Sequence, residues 1–186
     1  LVAGRWLDRI VSAARNHHEP VATVTPWSNN ATICSYPGWP QGGALPEGWT
    51  LEALAAKCAE ANSGRTVPLP TAVGFCMFVA RAALNQVGMF DVAAFGRGYG
   101  EENDFCLRAA AAGFHNILAA DAYVQHLGGA SFSEESRDLQ RRAGAVIRER
   151  WPDYDAAVAR YIAADPLLPL RRRLDSALEP VDGTPG

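Results

Sequence analysis

Residues 95–124 have the sequence FGRGYGEENDFCLRAAAAGFHNILAADAYV, in which a glycine-rich loop precedes a helix pattern and then a strand pattern. Glu101, Glu102 and Asp104 fall in the first helical turn, where the helix dipole favours negative charge. Gly113 stands where the helix is expected to stop. The apolar run that follows predicts a strand over residues 117–124. A helix that leads directly into a buried strand is typical of an α/β protein.

The segments before this unit extend the same pattern. Residues 6–14 carry apolar side chains at helical spacing and predict an amphipathic helix. Residues 21–25 predict a short strand, and residues 51–61 predict a second helix. The strongest strand pattern covers residues 72–79 and passes into a short helix over 81–87. The order of these elements predicts an α/β sheet sandwich.

The chain changes character after Ser133. Residues 134–186 contain three charged helix patterns and end in a tail, so we expect a helical extension of a domain formed by residues 1–133. This extension is rich in arginine, at positions 141, 142, 148, 150 and 171–173. Two interpretations remain open: solvated helix faces, or contact with an anionic membrane surface, where each basic residue contributes about 1 kcal/mol.

Composition narrows the class of protein. The 186 residues are 48% hydrophobic and 20% charged, as in a globular protein. The net charge of -3 argues against nucleic acid as the main partner, because phosphate binding needs a basic surface. The four cysteines form no C-x-x-C pair, so we expect reduced thiols. Without a signal-peptide pattern or a long apolar run, the sequence predicts a cytoplasmic protein.

The acidic helix start allows two interpretations. Loop-held carboxylates beside flexible glycines can approach a substrate and accept a proton at neutral pH. Acids in a first turn are also common simply because they suit the helix dipole. A phosphate-binding loop is rejected, because no strand directly precedes the glycines and Glu101 and Glu102 would repel a phosphate.

Six short segments, taken together, favour the catalytic interpretation. In chain order they are GRWL (4–7), PWSNN (26–30), GFCMFVAR (74–81, reading G-x-C-x-x-x-x-R), GMFD (88–91), GYGEENDFCLR (98–108) and VQHLGGASF (124–132). They resemble, in the same order, conserved segments of the family-2 inverting GT-A glycosyltransferases. The resemblance covers residues 6–132.

This resemblance implies a fold and a reaction. Residues 1–133 would be the C-terminal half of a GT-A nucleotide-diphospho-sugar transferase domain, a mixed-sheet sandwich, with residues 134–186 as its helical extension. The enzyme would transfer a sugar from a nucleotide-sugar donor to a glycan or lipid-linked acceptor with inversion, in cell-envelope polysaccharide synthesis. A divalent cation, Mn²⁺ or Mg²⁺, would neutralise the departing diphosphate.

The resemblance also implies roles for single residues. Glu102 aligns with the catalytic base, although Asp is commoner there, and Glu101, Asp104, Trp27 and Gly74 would contact the acceptor. His126 would reach the metal or the diphosphate, whereas a lone His after a strand is otherwise more often structural.

The donor-binding part of the family is expected before the helix that starts at Trp6, since no Asp-x-Asp motif lies upstream of it. Asp153-x-Asp155 opens a helix of the extension and is interpreted as a solvated helix start. We therefore expect this chain alone to bind nucleotide-sugars and Mn²⁺ weakly, and to self-associate through uncovered apolar surface.

The alternatives are a non-catalytic glycan-binding or scaffolding half-domain, and a glycoside hydrolase. Adjacent glutamates do not suit a hydrolase, whose carboxylates flank the bond. A cytoplasmic enzyme at the inner face of the membrane fits the basic extension.

Overall fold

The computed structural model describes residues 1–40, 42–96, 99–127 and 134–178, which form a mixed α/β fold. Its strands are β1 (Val21–Trp27), β2 (Thr66–Pro68), β3 (Phe78–Val79) and β4 (His115–Tyr123). Its helices are α1 (Trp6–Asn16), α2 (Leu51–Ala61), α3 (Arg81–Val87), α4 (Val92–Phe95), α5 (Glu101–Ala111), α6 (Glu134–Arg150), α7 (Tyr154–Ala164) and α8 (Leu168–Leu178). The predicted α/β class is confirmed.

The sheet is mixed, with the strand order β2-β4-β1-β3. The central strands β1 and β4 run parallel, and the outer strands β2 and β3 pair antiparallel with them. Nearly every residue of β1 and β4 is buried, because helices cover both faces of a parallel pair. The two shortest strands, β2 and β3, form the edges of the sheet.

The strands predicted from the sequence are confirmed in the centre of the sheet and wrong at one edge. The predictions over 21–25 and 117–124 correspond to β1 and β4, but of residues 72–79 only Phe78 and Val79 are strand. The amide of Ala72 donates to Sγ of Cys106 at 3.3 Å, and that of Val73 donates to Oγ1 of Thr25 at 3.4 Å. These donors bond side chains instead of a neighbouring strand, so the segment crosses the sheet as a loop.

Helices pack on both faces of β4. Leu118 and Ala120 belong to the core formed with α2 and α8, whereas Ile117 and Ala119 pack with Ile10 of α1. This alternation follows from the two-residue period of a strand. It produces the predicted sandwich of helices around a sheet.

The helical extension belongs to the same core as the sheet. Leu167, Leu170 and Leu174 are buried in the cluster that contains Leu118 of β4. The hydroxyl of Tyr36 donates to Oδ1 of Asp175 at 2.9 Å, which ties the loop after β1 to α8. Within the described ranges, none of the helices combines the length and apolar character that crossing a membrane requires.

Candidate functional site

The glycine before α5 sets the position of the acidic helix start. Gly100 has φ +85°, and a Cβ at this position would lie 3.2 Å from ring atoms of Phe95 and from Cβ of Ala143. Both the left-handed backbone and the close packing therefore require glycine. α5 begins directly after it, and Glu101 and Glu102 occupy its first turn, half-buried.

Glu102 lies against the exposed Gly74. A Cβ built on Gly74 would contact Cγ of Glu102 at 3.6 Å and Cδ at 3.7 Å, so a larger side chain there would cover the carboxyl group. Burial raises the pKa of Glu102, and the charge of Glu101 adds to the increase. Hydrogen bonds from the backbone of Glu102 and Gly100 oppose it without cancelling it. The environment thus raises the pKa of this carboxyl, whereas the helix dipole alone would lower it.

Glu101 differs from its neighbour in its hydrogen bonding. Its Oε2 is buried and accepts no hydrogen bond from any of the described residues. Buried polar atoms almost always have a partner, so this oxygen is an unsatisfied acceptor at the start of α5.

Asp104 is fully buried and bonded within the protein. Its Oδ2 accepts from Nε of Arg108 at 2.8 Å, and its Oδ1 accepts from Nε1 of Trp151 at 3.1 Å and Nη1 of Arg150 at 3.3 Å. Burial opposes ionisation, but these hydrogen bonds outweigh it and lower the pKa of Asp104. Both oxygens are engaged, so Asp104 joins α5 to the end of α6, and the acceptor contact expected for it is corrected to a structural role.

Trp27 is also placed differently from the expectation. The strand was predicted over residues 21–25, but β1 continues through Trp27, whose carbonyl accepts from the amide of Val124 at 2.9 Å. Its side chain is 0% exposed and lies against Tyr36 with ring centroids 6.3 Å apart. A ring enclosed in the core does not touch an acceptor, and the expected contact is corrected on this ground.

His126 follows β4 and is oriented by three neighbours. Its ring stacks on Phe75 with centroids 5.3 Å apart, and its Nδ1 lies 2.7 Å from the carbonyl oxygen of Asn30. A carbonyl only accepts, so Nδ1 carries the proton of this hydrogen bond, and in the neutral ring Nε2 has the lone pair. Asn29 fixes the backbone here, since its Oδ1 accepts from the amide of His126 at 2.9 Å and its Nδ2 donates to the carbonyl at 3.2 Å.

One loop segment connects the two ends of the candidate site. Gly74 lies against Glu102, and the next residue, Phe75, stacks on His126. Of the six predicted site residues, Gly74, Glu102 and His126 are thus linked by this segment, Glu101 precedes Glu102 at the start of α5, and Trp27 and Asp104 are buried in the core.

Sequence reasoning did not assign Asn29 and Phe75, two of the three residues that orient His126. Both lie inside segments that carried the resemblance, PWSNN and GFCMFVAR, and this was the only signal for them.

The described residues supply only part of a binding site for a divalent cation. Among residues 1–40, 42–96, 99–127 and 134–178, no three His, Cys, Asp or Glu side chains are grouped so that they could hold a metal ion. His126 has the usual arrangement of a metal-binding histidine, with Nδ1–H bonded to a carbonyl and Nε2 left as the ligand atom. It fits as one ligand of a set completed by other groups.

Comparison with protein-family models, with curated proteins and with solved structures finds no match to this chain. Any function proposed for this chain therefore rests on its sequence and on the geometry of the site. Gly98, Gly128, Ser131 and Phe132, which contributed to the resemblance, lie outside the described residues.

Proposed function

We propose that the chain carries the acceptor side of an inverting glycosyltransferase of the GT-A type. In this reaction an acceptor hydroxyl attacks the anomeric carbon of a nucleotide-sugar, the bond from that carbon to the diphosphate breaks, and the nucleoside diphosphate leaves. The acceptor is a glycan or a lipid-linked acceptor of polysaccharide synthesis.

The observation that carries the proposal is the environment of Glu102. Its carboxyl is half-buried at a helix start, next to an exposed glycine, and its pKa is raised by burial. A general base works best when its pKa lies near the operating pH, because it is then ionised and still basic enough to take a proton. Glu102 would take the proton of the acceptor hydroxyl as that oxygen attacks.

The neighbouring residues suit acceptor positioning. Gly74 leaves space beside the base, and the unsatisfied Oε2 of Glu101 would accept from an acceptor hydroxyl once its side chain turns outward from its buried position. A divalent cation such as Mn²⁺ or Mg²⁺, when bound, would neutralise the charge of the leaving diphosphate. Among the described residues, we assign Nε2 of His126 as a ligand of this cation.

A transfer assay with the complete product of the gene tests this function. The protein is incubated with Mn²⁺, each member of a panel of nucleotide-sugars and membrane-derived glycan acceptors, and nucleoside diphosphate release is measured with and without acceptor. We expect acceptor-dependent release for one donor and a product of inverted anomeric configuration. Glycan binding without any release would indicate the scaffolding alternative, and release with retained configuration would exclude the proposed mechanism.

A further inference from the structure

A cavity of about 210 Å³ lies beside Glu102, between the start of α5 and the helical extension. The resemblance assigned no role to the helical extension. The extension nevertheless supplies more than half of the residues that line the cavity. The polar and small residues around this cavity include Glu102 and Asn103 of α5, Gln140 and Gly144 of α6, and Tyr154 and Asp155 of α7.

The lining of this cavity matches the chemistry of a sugar. Carboxylates accept from hydroxyl groups, and side-chain amides both donate and accept. Oδ1 of Asn103 already accepts from Thr71 at 2.7 Å, which leaves the amide NH₂ of Asn103 as a donor to a ligand. Burial, with the charge of Glu102, raises the pKa of Tyr154 to about 12, and a hydrogen bond with Thr71 opposes the increase, so the Tyr154 hydroxyl stays neutral.

The wall formed by the extension is held in place without a ligand. Asp104, two residues after Glu102, accepts hydrogen bonds from Arg150 and Trp151 at the end of α6. Arg150 also donates to Asp91, just before α4, at 2.8 Å. Ala143 and Ile147 of α6 are buried with Phe95. The cavity is therefore formed in advance of binding, which lowers the entropic cost of binding.

We propose that this cavity is an acceptor subsite that takes one sugar ring of the glycan next to the base, and that α6 and α7 determine which sugar fits. The inference rests on the proposed function, because it identifies Glu102 as the base. A single ring is indicated because the cavity is smaller than the roughly 300–1,000 Å³ of pockets for drug-sized ligands.

Gly144 provides a direct test. A Cβ built there meets only the flexible guanidinium group of Arg148, at 3.2 Å, so a longer side chain can be introduced without displacing the core. Gly144→Met is designed to fill the cavity, and Ala145→Met, on the exposed side of the same helix, is the matched control. In the transfer assay we expect Gly144→Met to raise the acceptor KM by about tenfold or more, which corresponds to about 1.4 kcal/mol. Ala145→Met should keep the acceptor KM, the donor KM and the acceptor-independent nucleotide release of the native protein.

A binding measurement separates this inference from the proposed function. Protein labelled with ¹⁵N-glycine is titrated with glucose, galactose, mannose, rhamnose and N-acetylglucosamine at millimolar concentrations, with the Gly100 amide signal as the reporter. We expect at least one sugar to shift this signal in the native protein and in Ala145→Met, and not in Gly144→Met.

If no sugar shifts the Gly100 signal, or if it shifts equally in both variants, the subsite is wrong. Equal acceptor KM values for the two variants would also overturn it and leave the transferase proposal intact. Sugar binding that Gly144→Met abolishes, in a protein without transfer activity, would refute the proposed function and support the cavity as a sugar site.

Discussion

Burial of the Glu102 carboxyl affects stability as well as reactivity. Because the pKa of Glu102 is raised in the folded protein, the folded state holds this proton more tightly than the unfolded chain does. The stability linked to the group is thus present below the ordinary pKa of 4.5 and is lost as the pH rises through the folded value. At neutral pH the ionised carboxyl costs folding free energy.

Replacing this carboxyl should therefore stabilise the protein. Glu102→Gln is expected to raise the free energy of unfolding in urea at pH 7 and to change it little below pH 4.5, where the carboxyl is protonated in both states. Glu60→Gln, at an exposed position where Glu60 pairs with Lys57, is the control and should change the free energy of unfolding by at most about 1 kcal/mol. A loss of stability in Glu102→Gln at pH 7 would contradict the burial argument.

Asp104 should behave in the opposite way. Its lowered pKa means that its contribution to stability is present above the ordinary value of 3.8 and is lost as the pH falls through the folded value. Asp104→Asn is expected to cost about 1.5–3 kcal/mol at neutral pH, because it weakens hydrogen bonds to charged groups and leaves buried donors without a carboxylate.

The control for Asp104→Asn is Asp138→Asn, which removes one partner of an exposed i,i+3 ion pair with Arg141. Exposed pairs contribute about 0–1 kcal/mol, so denaturant midpoints should change little. Equal losses in the two variants would refute the buried role of Asp104.

The difference between these two acids marks what the sequence could predict at the scale of residues. The acidic first turn of α5 is a local pattern and was predicted. The partners of Asp104, Arg150 and Trp151, lie 46 and 47 positions later in the chain, and no local spacing indicates them. Trp27 was misplaced for a related reason. Its burial depends on the pairing of β1 with β4, which is distant in the sequence and is not indicated by the residues next to Trp27.

At the scale of elements, periodic segments were predicted well and one apolar run was not. Helices α1, α2, α3 and α5 and strands β1 and β4 follow from spacing that each segment carries by itself. Residues 72–77 have strand composition but bond to side chains of β1 and α5. Apolar content alone does not reveal where backbone donors go, so this loop and the approach of Gly74 to Glu102 required the structure.

The attachment of α8 to the core yields a stability prediction. Leu174 is 0% exposed among the core residues of α2 and β4, whereas Leu168 in the same helix is 37% exposed. Leu174→Ala should lower the free energy of unfolding by about 2–5 kcal/mol, as large-to-small core substitutions do. Leu168→Ala is the matched control and should change it by at most about 0.5 kcal/mol. A small effect of Leu174→Ala would show that the extension packs weakly on the domain.

At the scale of the whole molecule, the basic extension is less free than its sequence suggests. Arg171 is 9% exposed, lies 4.3 Å over the ring of Trp39 and bonds to Asp165, and Arg150 bonds to Asp91 and Asp104. Arg141, Arg142, Arg148, Arg172 and Arg173 are exposed. Contact with an anionic membrane stays a prediction that rests on these five residues.

Self-association also stays a prediction at this scale. The exposed apolar side chains include Leu1, Val2 and Leu127, and the backbone of Leu1 pairs with that of Gln125. The first two residues thus pair with the segment that leads to Leu127, and exposed apolar side chains of this kind can mark an interaction surface. Sedimentation velocity should detect association that Leu127→Ser weakens, whereas a monomer at all concentrations would exclude it.

The central claim is that Glu102 takes the proton of an acceptor hydroxyl. The most direct measurement compares kcat and donor KM of Glu102→Gln and Glu101→Gln in the complete gene product. Loss of a general base typically costs ~10²–10⁴-fold in rate, so kcat of Glu102→Gln should fall by this factor with donor KM nearly unchanged. Glu101→Gln should mainly raise the acceptor KM. Near-normal turnover in Glu102→Gln would contradict the account, whether or not Glu101→Gln proved inactive.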